Sequence, residues 1–549
     1  MRIITEQGQT FDFSAPITAK EIFADPRLKT PDHLIAARVN FRAVSLNTIP
    51  EDNARISPIT MRSIEGRRIF QKNLALILFK AFHDLFPGKR IRSLYSVFRG
   101  IYHDVEIGRP LSGRDITELK TRMRELIVAD LPITEKTMPR AEALAYFKQT
   151  NLKDKVDLLK SLSRETVSII CLAGIMDLSF FPAVPSTGYL KIFDLVLHES
   201  GMILRFPRTA DPDRLPDYTT QSGLFKIFTE NRSWADILEV SNAGELNQAI
   251  QSGKEGEIIK LAEALHEKKI AWIADEITRN RKNIKFILIA GPSSSGKTTF
   301  SKRLAIQLRV NAVKTEQIST DDYFKARELT PSDEEGNYNF EDLDALDLDL
   351  FNNHLQSILQ GKTVEIPSFS FERGRAKEHG KKITIPAQMP IIIEGIHCLN
   401  PELTRTIPRE NKYHIYVSAL TQLNIDDYNR IPTTDNRILR RIVRDNFFRG
   451  YSAYETISRW PSVRRGEDKN IFPYQDEADT MFNSALIYEL AVLRDLALPL
   501  LRRVPPTVPE YSEARRLINF ISAFTSIQKH EIPPTSLLRE FIGESSFNY

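Results

Sequence analysis

The spacing of apolar residues predicts a small α/β unit over residues 1–60. Apolar runs at Ile3–Ile4, Phe11–Phe13 and Ala36–Val39 have the length and composition of short strands. Between them, Ala19–Ala24 is flanked by prolines and is predicted to form a brief helix. The pattern therefore favours a mixture of short strands and one helix at the start of the chain.

A long helix and then a strand-rich region follow. Apolar residues recur at helical spacing in a basic segment that ends at Pro87-Gly88, and they predict one amphipathic helix through Leu74, Ile77, Leu78, Ala81 and Leu85. The residue pattern is typical of strands over residues 168–206, and prolines near residues 211–216 indicate a domain boundary. A second helical stretch is predicted over residues 243–280.

After Asn283 the pattern changes to alternating strands and helices. Buried-strand patterns occur at Lys285–Ala290, Glu316–Ser319, Pro390–Ile393 and Tyr413–Val417. Such alternation is typical of a doubly wound parallel sheet, whose ligands bind beyond the carboxyl ends of the strands. A Pro-rich bend at Pro505 closes this part of the chain, and a helical tail is expected after it.

Composition narrows the class of protein. Of the 549 residues, 42% are hydrophobic and the net charge is only +4, so neither intrinsic disorder nor a bulk polyelectrolyte is expected. The two cysteines, Cys171 and Cys398, are too few and too far apart for a disulfide framework or a cysteine-rich zinc site. The start of the chain lacks an apolar core, and no apolar stretch is long enough to span a membrane. We therefore expect a cytoplasmic protein without a signal peptide or membrane contact.

A Gly-rich turn between a predicted strand and helix carries a phosphate-binding motif. Residues 291–298 read GPSSSGKT and fit G-x-x-x-x-G-K-[ST] in full. The glycines let backbone N–H groups converge on phosphate oxygens, and the helix N-terminus adds positive potential. Lys297 is predicted to reach the β- and γ-phosphates of ATP, and the Thr298 hydroxyl to hold Mg²⁺. The residues expected to bind the nucleotide are Gly291, Pro292, Ser293, Ser294, Ser295, Gly296, Lys297, Thr298 and Thr299.

Acidic residues follow two further strands and favour a kinase. Asp321 and Asp322 come directly after the second strand, where a carboxylate can accept the proton of an attacking hydroxyl. Glu394 ends another strand and is placed to bind Mg²⁺ directly or through water. A GTPase would carry an Asn/Thr-Lys-x-Asp motif downstream, and the sequence has none. These residues predict phosphoryl transfer to an alcohol.

Six motifs in order make residues 285–505 resemble the uridine kinase/phosphoribulokinase family. They are the phosphate loop, Ser319-Thr320-Asp321, Asn339-Phe340-Glu341 with Asp344-Ala345-Leu346-Asp347, Ile366-Pro367-Ser368-Phe369, Glu394-Gly395-Ile396, and Arg440-Arg441-Ile442-Val443-Arg444-Asp445. The resemblance implies a P-loop kinase fold that uses ATP and Mg²⁺ and phosphorylates a nucleoside-like small molecule.

The resemblance also implies a role for individual residues. Asp321 matches the catalytic base and is expected at the magnesium ion with Thr298 and Glu394, and Glu341 matches the acid that holds the ribose hydroxyls. Arg441 and Arg444 match the arginine helix over the phosphates, and Arg449 is assigned to the same lid. Arginine suits this task because its rigid fork can clamp a transferring phosphoryl group. An exposed basic helix face is the alternative interpretation of these arginines.

The acceptor pocket departs from the family pattern. Uridine kinases carry a tyrosine and a histidine near the pyrimidine, where this chain has Phe369 and Gly374. Phe369 can stack on a base but cannot donate a hydrogen bond, so base specificity is expected to be weak. Arg373, Arg375 and Lys377 nearby are compatible either with a more anionic acceptor or with a solvated loop.

The front half resembles part of threonyl-tRNA synthetase. Residues 1–60 resemble its TGS domain, a β-grasp module, through their strand pattern and Ala37-Arg38-Val39-Asn40, and Leu85-Phe86-Pro87-Gly88 and Val184-Pro185-Ser186-Thr187-Gly188 resemble its editing-type domain. That domain holds a metal with His-x-x-x-His and Cys-x-x-x-His. The four ligand positions align here with Lys72, Leu76, Ser179 and Ala183, which are not good metal ligands. We therefore expect no metal and no aminoacyl hydrolysis in this region.

The sequence thus predicts a multidomain α/β protein. Its segments are a TGS-like domain (1–60), an editing-like domain without metal ligands (61–210), a helical linker (211–283), a P-loop kinase domain (284–505) and a C-terminal helical tail (506–549). The favoured function is an ATP- and Mg²⁺-dependent phosphotransferase acting on a hydroxyl of a ribonucleoside. A sugar-phosphate kinase and a nucleotide-sensing RNA-binding protein are the alternatives. RNA contact through the front half and homo-oligomerisation stay open.

Overall fold

The computed structural model describes residues 1–28, 31–97, 99–218, 230, 234–235, 237–332, 336, 338–370, 375–376, 380–386 and 389–548. The helices, in chain order, are α1 Ala19–Ala24, α2 Ile64–Leu85, α3 Gly113–Val128, α4 Arg140–Gln149, α5 Lys153–Ser161, α6 Ala243–Gln251, α7 Glu255–Arg279, α8 Lys297–Val310, α9 Leu348–Leu359, α10 Thr433–Arg449, α11 Ala453–Asn470, α12 Glu489–Arg502, α13 Tyr511–Ile521 and α14 Arg539–Ile542.

The strands lie in both halves of the chain. They are β1 Arg2–Thr5, β2 Thr10–Asp12, β3 Leu34–Val39, β4 Arg42–Val44, β5 Ala54–Thr60, β6 Arg90–Val97, β7 Gly100–Glu106, β8 Ile133–Pro139, β9 Thr166–Leu172, β10 Ile175–Leu178, β11 Asp194–His198, β12 Gly201–Arg205, β13 Phe286–Ala290, β14 Glu316–Ser319, β15 Val364–Ile366, β16 Phe369–Ser370, β17 Arg375–Ala376, β18 Lys381–Ile383, β19 Ile391–Glu394, β20 Lys412–Ser418 and β21 Thr480–Asn483.

The first sixty residues form a five-stranded sheet in the order β2-β1-β5-β3-β4, with α1 packed against it. α1 begins with a capping box. The Thr18 hydroxyl accepts from the Glu21 N–H, and the Glu21 carboxylate accepts from the Thr18 N–H. Ile3, Ile22 and Ile56 are fully or almost fully buried in the core between helix and sheet. The predicted strands and helix of this unit are therefore present.

The next part of the chain builds two antiparallel sheets around a buried helix. The sheets have the orders β11-β12-β7-β6 and β10-β9-β8, and α2 lies in their shared core. α2 runs to Leu85 as the apolar spacing predicts, and its segment Leu74–Phe79 is buried on all sides. Residues 90–106, for which no strand was predicted, pair as β6 and β7, and Ile91 and Ile101 face this core.

A five-stranded parallel sheet forms the centre of the C-terminal half. Its order is β14-β19-β13-β20-β21, so the first strand along the chain, β13, lies in the middle. α7 and α8 cover one face, and α9 helps to cover the other. The predicted doubly wound parallel sheet is confirmed, and the edge strand β21 is an addition that the sequence pattern did not predict.

The segments on either side of this sheet are packed into the protein. α6 packs on α5 of the front half, α13 packs on α12, and α14 packs on α10. The predicted linker and tail thus share one apolar core with their neighbours, while the domain boundaries themselves stay predictions. Within the described residues, no helix combines the length and the apolar character that crossing a membrane requires.

Candidate active site

The phosphate loop joins the central strand β13 to helix α8. β13 is buried along its whole length, and α8 begins at Lys297. Two loop residues have left-handed backbone conformations, Ser294 with φ 59° and Gly296 with φ 84°. Gly296 adopts this conformation without strain because it has no Cβ. The Lys297 ammonium donates to the carbonyl oxygens of Gly291 at 2.8 Å and Pro292 at 3.3 Å. The side chain therefore lies against the loop in which the motif predicts it to act.

Several buried polar atoms around this loop have no hydrogen-bond partner among the residues that the structure describes. They are Oε2 of Glu394, Oγ of Ser294, Oγ of Ser295 and Oγ1 of Thr320. The Thr298 hydroxyl hydrogen-bonds to the Glu394 carboxyl, so the two predicted magnesium-binding side chains are adjacent. Buried polar atoms are rarely left unpaired in proteins. Oxygen ligands suit Mg²⁺ and serine hydroxyls can donate to phosphate oxygens, so this set fits a magnesium–nucleotide complex.

The Glu394 carboxyl has a strongly perturbed titration. Burial raises its pKa from the ordinary value of 4.5 to about 7. The nearby Lys297 ammonium lowers it, and the carboxylates of Glu540 and Asp321 raise it further. An uncompensated carboxylate of this kind gains most from a bound cation.

The two neighbouring acids after β14 have different surroundings. The Asp321 side chain is exposed, the protein packed around its carboxyl raises its pKa, and the charges of Lys297 and Arg449 oppose that rise. The Asp322 carboxylate instead accepts a hydrogen bond from the backbone N–H of Phe369 at 3.4 Å. Asp321 therefore shares the electrostatic environment of the phosphate loop, whereas Asp322 ties the β16 segment to the end of β14.

Glu341 lies in the same site. Burial raises its pKa to about 7, Glu467 and Asp321 raise it, and Arg441 and Lys297 lower it. A Cβ on Gly466 would lie 2.4 Å from the Glu341 Cβ, so only a glycine lets α11 approach this acid. The Asn470 side chain donates to the Glu341 carbonyl oxygen at 2.6 Å and fixes its backbone.

Helix α10 brings arginines to the phosphate loop. Arg441 donates to the Ser293 hydroxyl at 2.9 Å and to Asp445 at 3.2 Å. Arg444 pairs with the same Asp445 at 2.7 Å, and Arg449 lies 3.6 Å from it. Of the three predicted arginines, Arg441 alone touches the loop directly, while Arg444 and Arg449 are gathered beside it by one carboxylate.

Arg437 and Glu467 also contact the loop, and neither was predicted as a site residue. Arg437 donates to the Ser293 carbonyl oxygen at 2.9 Å and pairs with Glu467, both side chains being buried. Glu467 also accepts from the Ser293 N–H at 3.1 Å. Arg437 lies one helical turn before Arg441, and this spacing is a signal that could have identified it. Glu467 has no comparable local signal.

The predicted acceptor pocket is only partly described. The Phe369 ring is buried and lies 5.7 Å from the Phe324 ring, and β16 and β17 pair so that Ser370 lies opposite Arg375. Arg375 is exposed. Arg373, Gly374 and Lys377 lie outside the described residues.

A carboxylate from the C-terminal segment also reaches the start of α8. Glu540 Oε2 accepts from the Thr299 N–H at 3.1 Å and from the Thr299 hydroxyl at 2.7 Å. The N–H groups of a helix's first turn are a preferred binding place for anions. Glu540 therefore occupies one of the donors that the motif assigns to the nucleotide, a contact that the sequence pattern did not predict.

The four aligned metal positions of the front half lie on α2 and in the segment after β10. Leu76 and Ala183 are fully buried in an apolar core, and Lys72 forms an ion pair with Asp177 at 2.8 Å. Ser179 donates to the Phe181 carbonyl oxygen at 2.9 Å. Leucine and alanine have no donor atom, so these residues do not fit a metal ion.

Comparison with known proteins identifies the class of the C-terminal half. Residues 286–489 match the family model described as the Phosphoribulokinase / Uridine kinase family. This segment is therefore a domain of that family, and the chain contains a P-loop kinase domain. A solved structure described as a possible uridine kinase from Bacillus stearothermophilus is 16% identical and covers 38% of this chain and 97% of its own, with a TM-score of 0.26.

The N-terminal half matches threonyl-tRNA synthetase in its TGS and editing region. Threonine–tRNA ligase of Polaromonas naphthalenivorans (strain CJ2) is 29% identical over 221 residues, which are 38% of this chain and 35% of that protein. The enzyme of Azoarcus sp. (strain BH72) is 31% identical over 189 residues, which are 34% of this chain and 30% of that protein. The chain thus spans about a third of the length of these curated relatives.

Proposed function

We propose that this protein is an ATP- and Mg²⁺-dependent kinase that phosphorylates a hydroxyl group of a ribonucleoside. The observation that carries the proposal is the set of groups around the phosphate loop. The charges of Lys297 and Asp321 act on both Glu341 and Glu394, and Glu394 has a buried oxygen without a partner among the described residues. A general base, an acceptor-binding acid and a metal-binding acid are the parts that this reaction requires.

Each group has a role that its surroundings support. Bound MgATP would supply the phosphoryl group. Asp321 accepts the proton of the attacking hydroxyl, and its raised pKa brings it closer to the basicity that this transfer needs. Thr298 and Glu394 would hold the metal ion, and Lys297 and Arg441 would offset negative charge as it shifts to the leaving oxygen.

Glu341 supports a ribose-bearing acceptor. Its side chain lies against Gly466 of α11, Asn470 holds its backbone carbonyl oxygen, and the charges of Arg441 and Lys297 act on its carboxyl. A carboxylate can accept hydrogen bonds from two vicinal hydroxyls, whereas a flat apolar ring such as Phe369 discriminates weakly between bases. The proposed acceptor class is therefore a ribonucleoside with a loosely specified base.

The experiment is a panel of acceptors. ATP consumption by the purified protein is measured with ribonucleosides, 2′-deoxyribonucleosides and sugar phosphates, beside Asp321→Asn and the exposed-carboxyl control Glu410→Gln. The proposal expects turnover with ribonucleosides by the unmodified protein and by Glu410→Gln, and none by Asp321→Asn. A rate of ATP consumption that stays the same whichever ribonucleoside is added would contradict the proposed function.

A sugar phosphate is the second candidate acceptor. The pairing of β16 with β17 brings the exposed Arg375 close in the hairpin to Phe369, and a guanidinium there would suit a second phosphate group. The same panel separates the two candidates. A preference for sugar phosphates that Arg375→Gln removes would support this second reaction.

A further inference from the structure

A loop of the kinase half, residues 424–430, is inserted into the front half. This docking loop follows β20 and leads into helix α10, which carries the arginines at the phosphate loop. Its Asp426 is fully buried, and Lys155 of the front half donates to it at 2.6 Å. Lys155 is itself fully buried, so the pair lies entirely within the protein.

The front-half groups that receive the docking loop form a socket consisting of Lys72, Asp154, Lys155 and Asp177. Lys155 also pairs with Asp177 at 2.6 Å, and Lys72 pairs with Asp177 at 2.8 Å. Asp154 accepts from the Asp427 N–H at 2.8 Å. A buried ion network of this kind is sensitive to the loss of one member, because the remaining partner is left as an unpaired buried charge.

An aromatic residue of the docking loop fills the adjoining space. The Tyr428 ring stacks on Phe79 of α2, with centroids 4.1 Å apart and an interplanar angle of 18°. The Lys155 ammonium lies 4.4 Å from the centroid of the same ring, and the His83 ring contacts its hydroxyl. Phe79 lies on the helix that carries Lys72 and Leu76, two of the four positions aligned with metal ligands. The kinase loop therefore lies beside the place that would hold the metal in the synthetase-like arrangement.

Helix α10, which follows the docking loop, is also held at its start by ion pairs. Three residues after the docking loop, α10 begins at Thr433, and Asp435 in its first turn pairs with Arg68 at 3.3 Å and with Arg516 at 2.6 Å. Six residues further along the helix, Arg441 reaches the Ser293 hydroxyl of the phosphate loop. The start of the arginine-bearing helix is thus held by Arg68 of the front half together with Arg516 of the C-terminal segment.

We propose that Lys155, Asp177 and Asp426 are positioning residues of the kinase reaction, and that the front half serves as the socket that sets helix α10 on the phosphate loop. The proposal rests on the proposed kinase function for its catalytic part only. These residues act through Arg437 and Arg441 and touch no reacting atom. Misplacing a catalytic group by about 1 Å costs on the order of 10²-fold in rate, so a loosened socket should lower turnover strongly.

The test compares Lys155→Met and Asp426→Asn with a matched control. Asp115→Asn also removes a buried carboxylate, which pairs with Arg109 at 2.6 Å, but that pair lies within the front half and away from the docking loop. Hydrogen–deuterium exchange of residues 433–449 is measured without any acceptor. We expect exchange to rise about tenfold in Lys155→Met and Asp426→Asn and to stay unchanged in Asp115→Asn.

Kinetics then separate positioning from a general loss of stability. We expect kcat to fall by on the order of 10²-fold in both socket variants with the KM for ATP within about twofold, and the effect of Asp426→Asn to disappear in an Arg441→Gln background. The double variant Lys155→Met/Asp426→Asn, which leaves Asp177 paired with Lys72, keeps the test interpretable if a single variant folds poorly.

Two results would overturn the proposal: unchanged exchange over residues 433–449 in the socket variants, or an Asp426→Asn effect of equal size with and without Arg441. If exchange rises as expected but no ribonucleoside is phosphorylated, the proposed function fails while the structural coupling between the two halves stands.

Discussion

Replacing Glu394 by glutamine should change the stability of the free protein and its response to ligand in opposite directions. The carboxyl is buried, one of its oxygens has no partner in the described structure, and its pKa is raised from 4.5 to about 7. Glu394→Gln keeps the shape and the hydrogen-bonding capacity toward Thr298 but removes the ionisation. The variant therefore isolates the effect of the charge.

The magnitude follows from the pKa. Because one pKa unit corresponds to about 1.4 kcal/mol, holding this carboxyl at a pKa of about 7 costs about 3 kcal/mol of folding free energy once it is ionised. Because the folded protein holds this proton more tightly than the unfolded chain does, the protonated carboxyl causes no loss of stability below about pH 4.5. Stability then falls as the pH rises through about 7 and the buried carboxyl ionises. We therefore expect Glu394→Gln to match the unmodified protein near pH 5 and to be more stable at pH 8.

Thermal unfolding measured from pH 5 to pH 8, with and without MgATP, tests both signs. At pH 8 the free variant should melt at a higher temperature than the unmodified protein, while the rise in Tm caused by MgATP should be largely lost, since the negative charge that attracts the metal ion is gone. Glu410→Gln, which removes an exposed carboxyl, should leave both quantities unchanged. Parallel pH profiles of Glu394→Gln and the unmodified protein would refute the assignment of Glu394 as an uncompensated buried carboxyl.

Three further predictions concern the same site. Asp321→Asn should abolish phosphoryl transfer while nucleotide binding persists. Asp322→Asn should keep transfer, because the Asp322 carboxylate is bound to the backbone of the β16 segment. An inactive Asp322→Asn beside an active Asp321→Asn would show that the roles are reversed. Glu341→Ala should erase a preference for ribonucleosides over 2′-deoxyribonucleosides in kcat/KM, and equal rates on both by the unmodified protein would remove Glu341 from the acceptor site. Glu540→Gln should tighten ATP binding by about threefold to tenfold in fluorescence titration, because a carboxylate no longer competes with phosphate for the Thr299 N–H. Unchanged affinity would mean that the Glu540–Thr299 contact does not oppose nucleotide binding.

The parts of this protein that could be predicted from the sequence are those encoded by contiguous residues. The phosphate loop and its flanking strand and helix are of this kind, since residues 286–310 specify a buried strand, a glycine turn and an amphipathic helix in one run. The same holds for α1, whose prolines and capping residues are local. For these elements local propensity and tertiary packing agree.

The missed features depend on contacts between distant residues. Glu467 reaches the Ser293 amide only because α11 packs beside the phosphate loop, at a sequence separation of 174 residues. Glu540 meets Thr299 across 241 residues, and Lys155 meets Asp426 across 271. A lone glutamate or lysine in a sequence carries no sign of such a partner, so these contacts follow from topology rather than from pattern.

In the proposed reaction, the γ-phosphoryl group of ATP bound at the phosphate loop passes to a hydroxyl of a ribonucleoside. The most direct measurement follows label from [γ-³²P]ATP in the presence of Mg²⁺ and a mixture of ribonucleosides, for the unmodified protein and for a folded Lys297→Ala variant. We expect label on a nucleoside monophosphate with the unmodified protein and a loss of several orders of magnitude with Lys297→Ala. Label that appears only as inorganic phosphate, or transfer that Lys297→Ala leaves near normal, would contradict the proposed reaction.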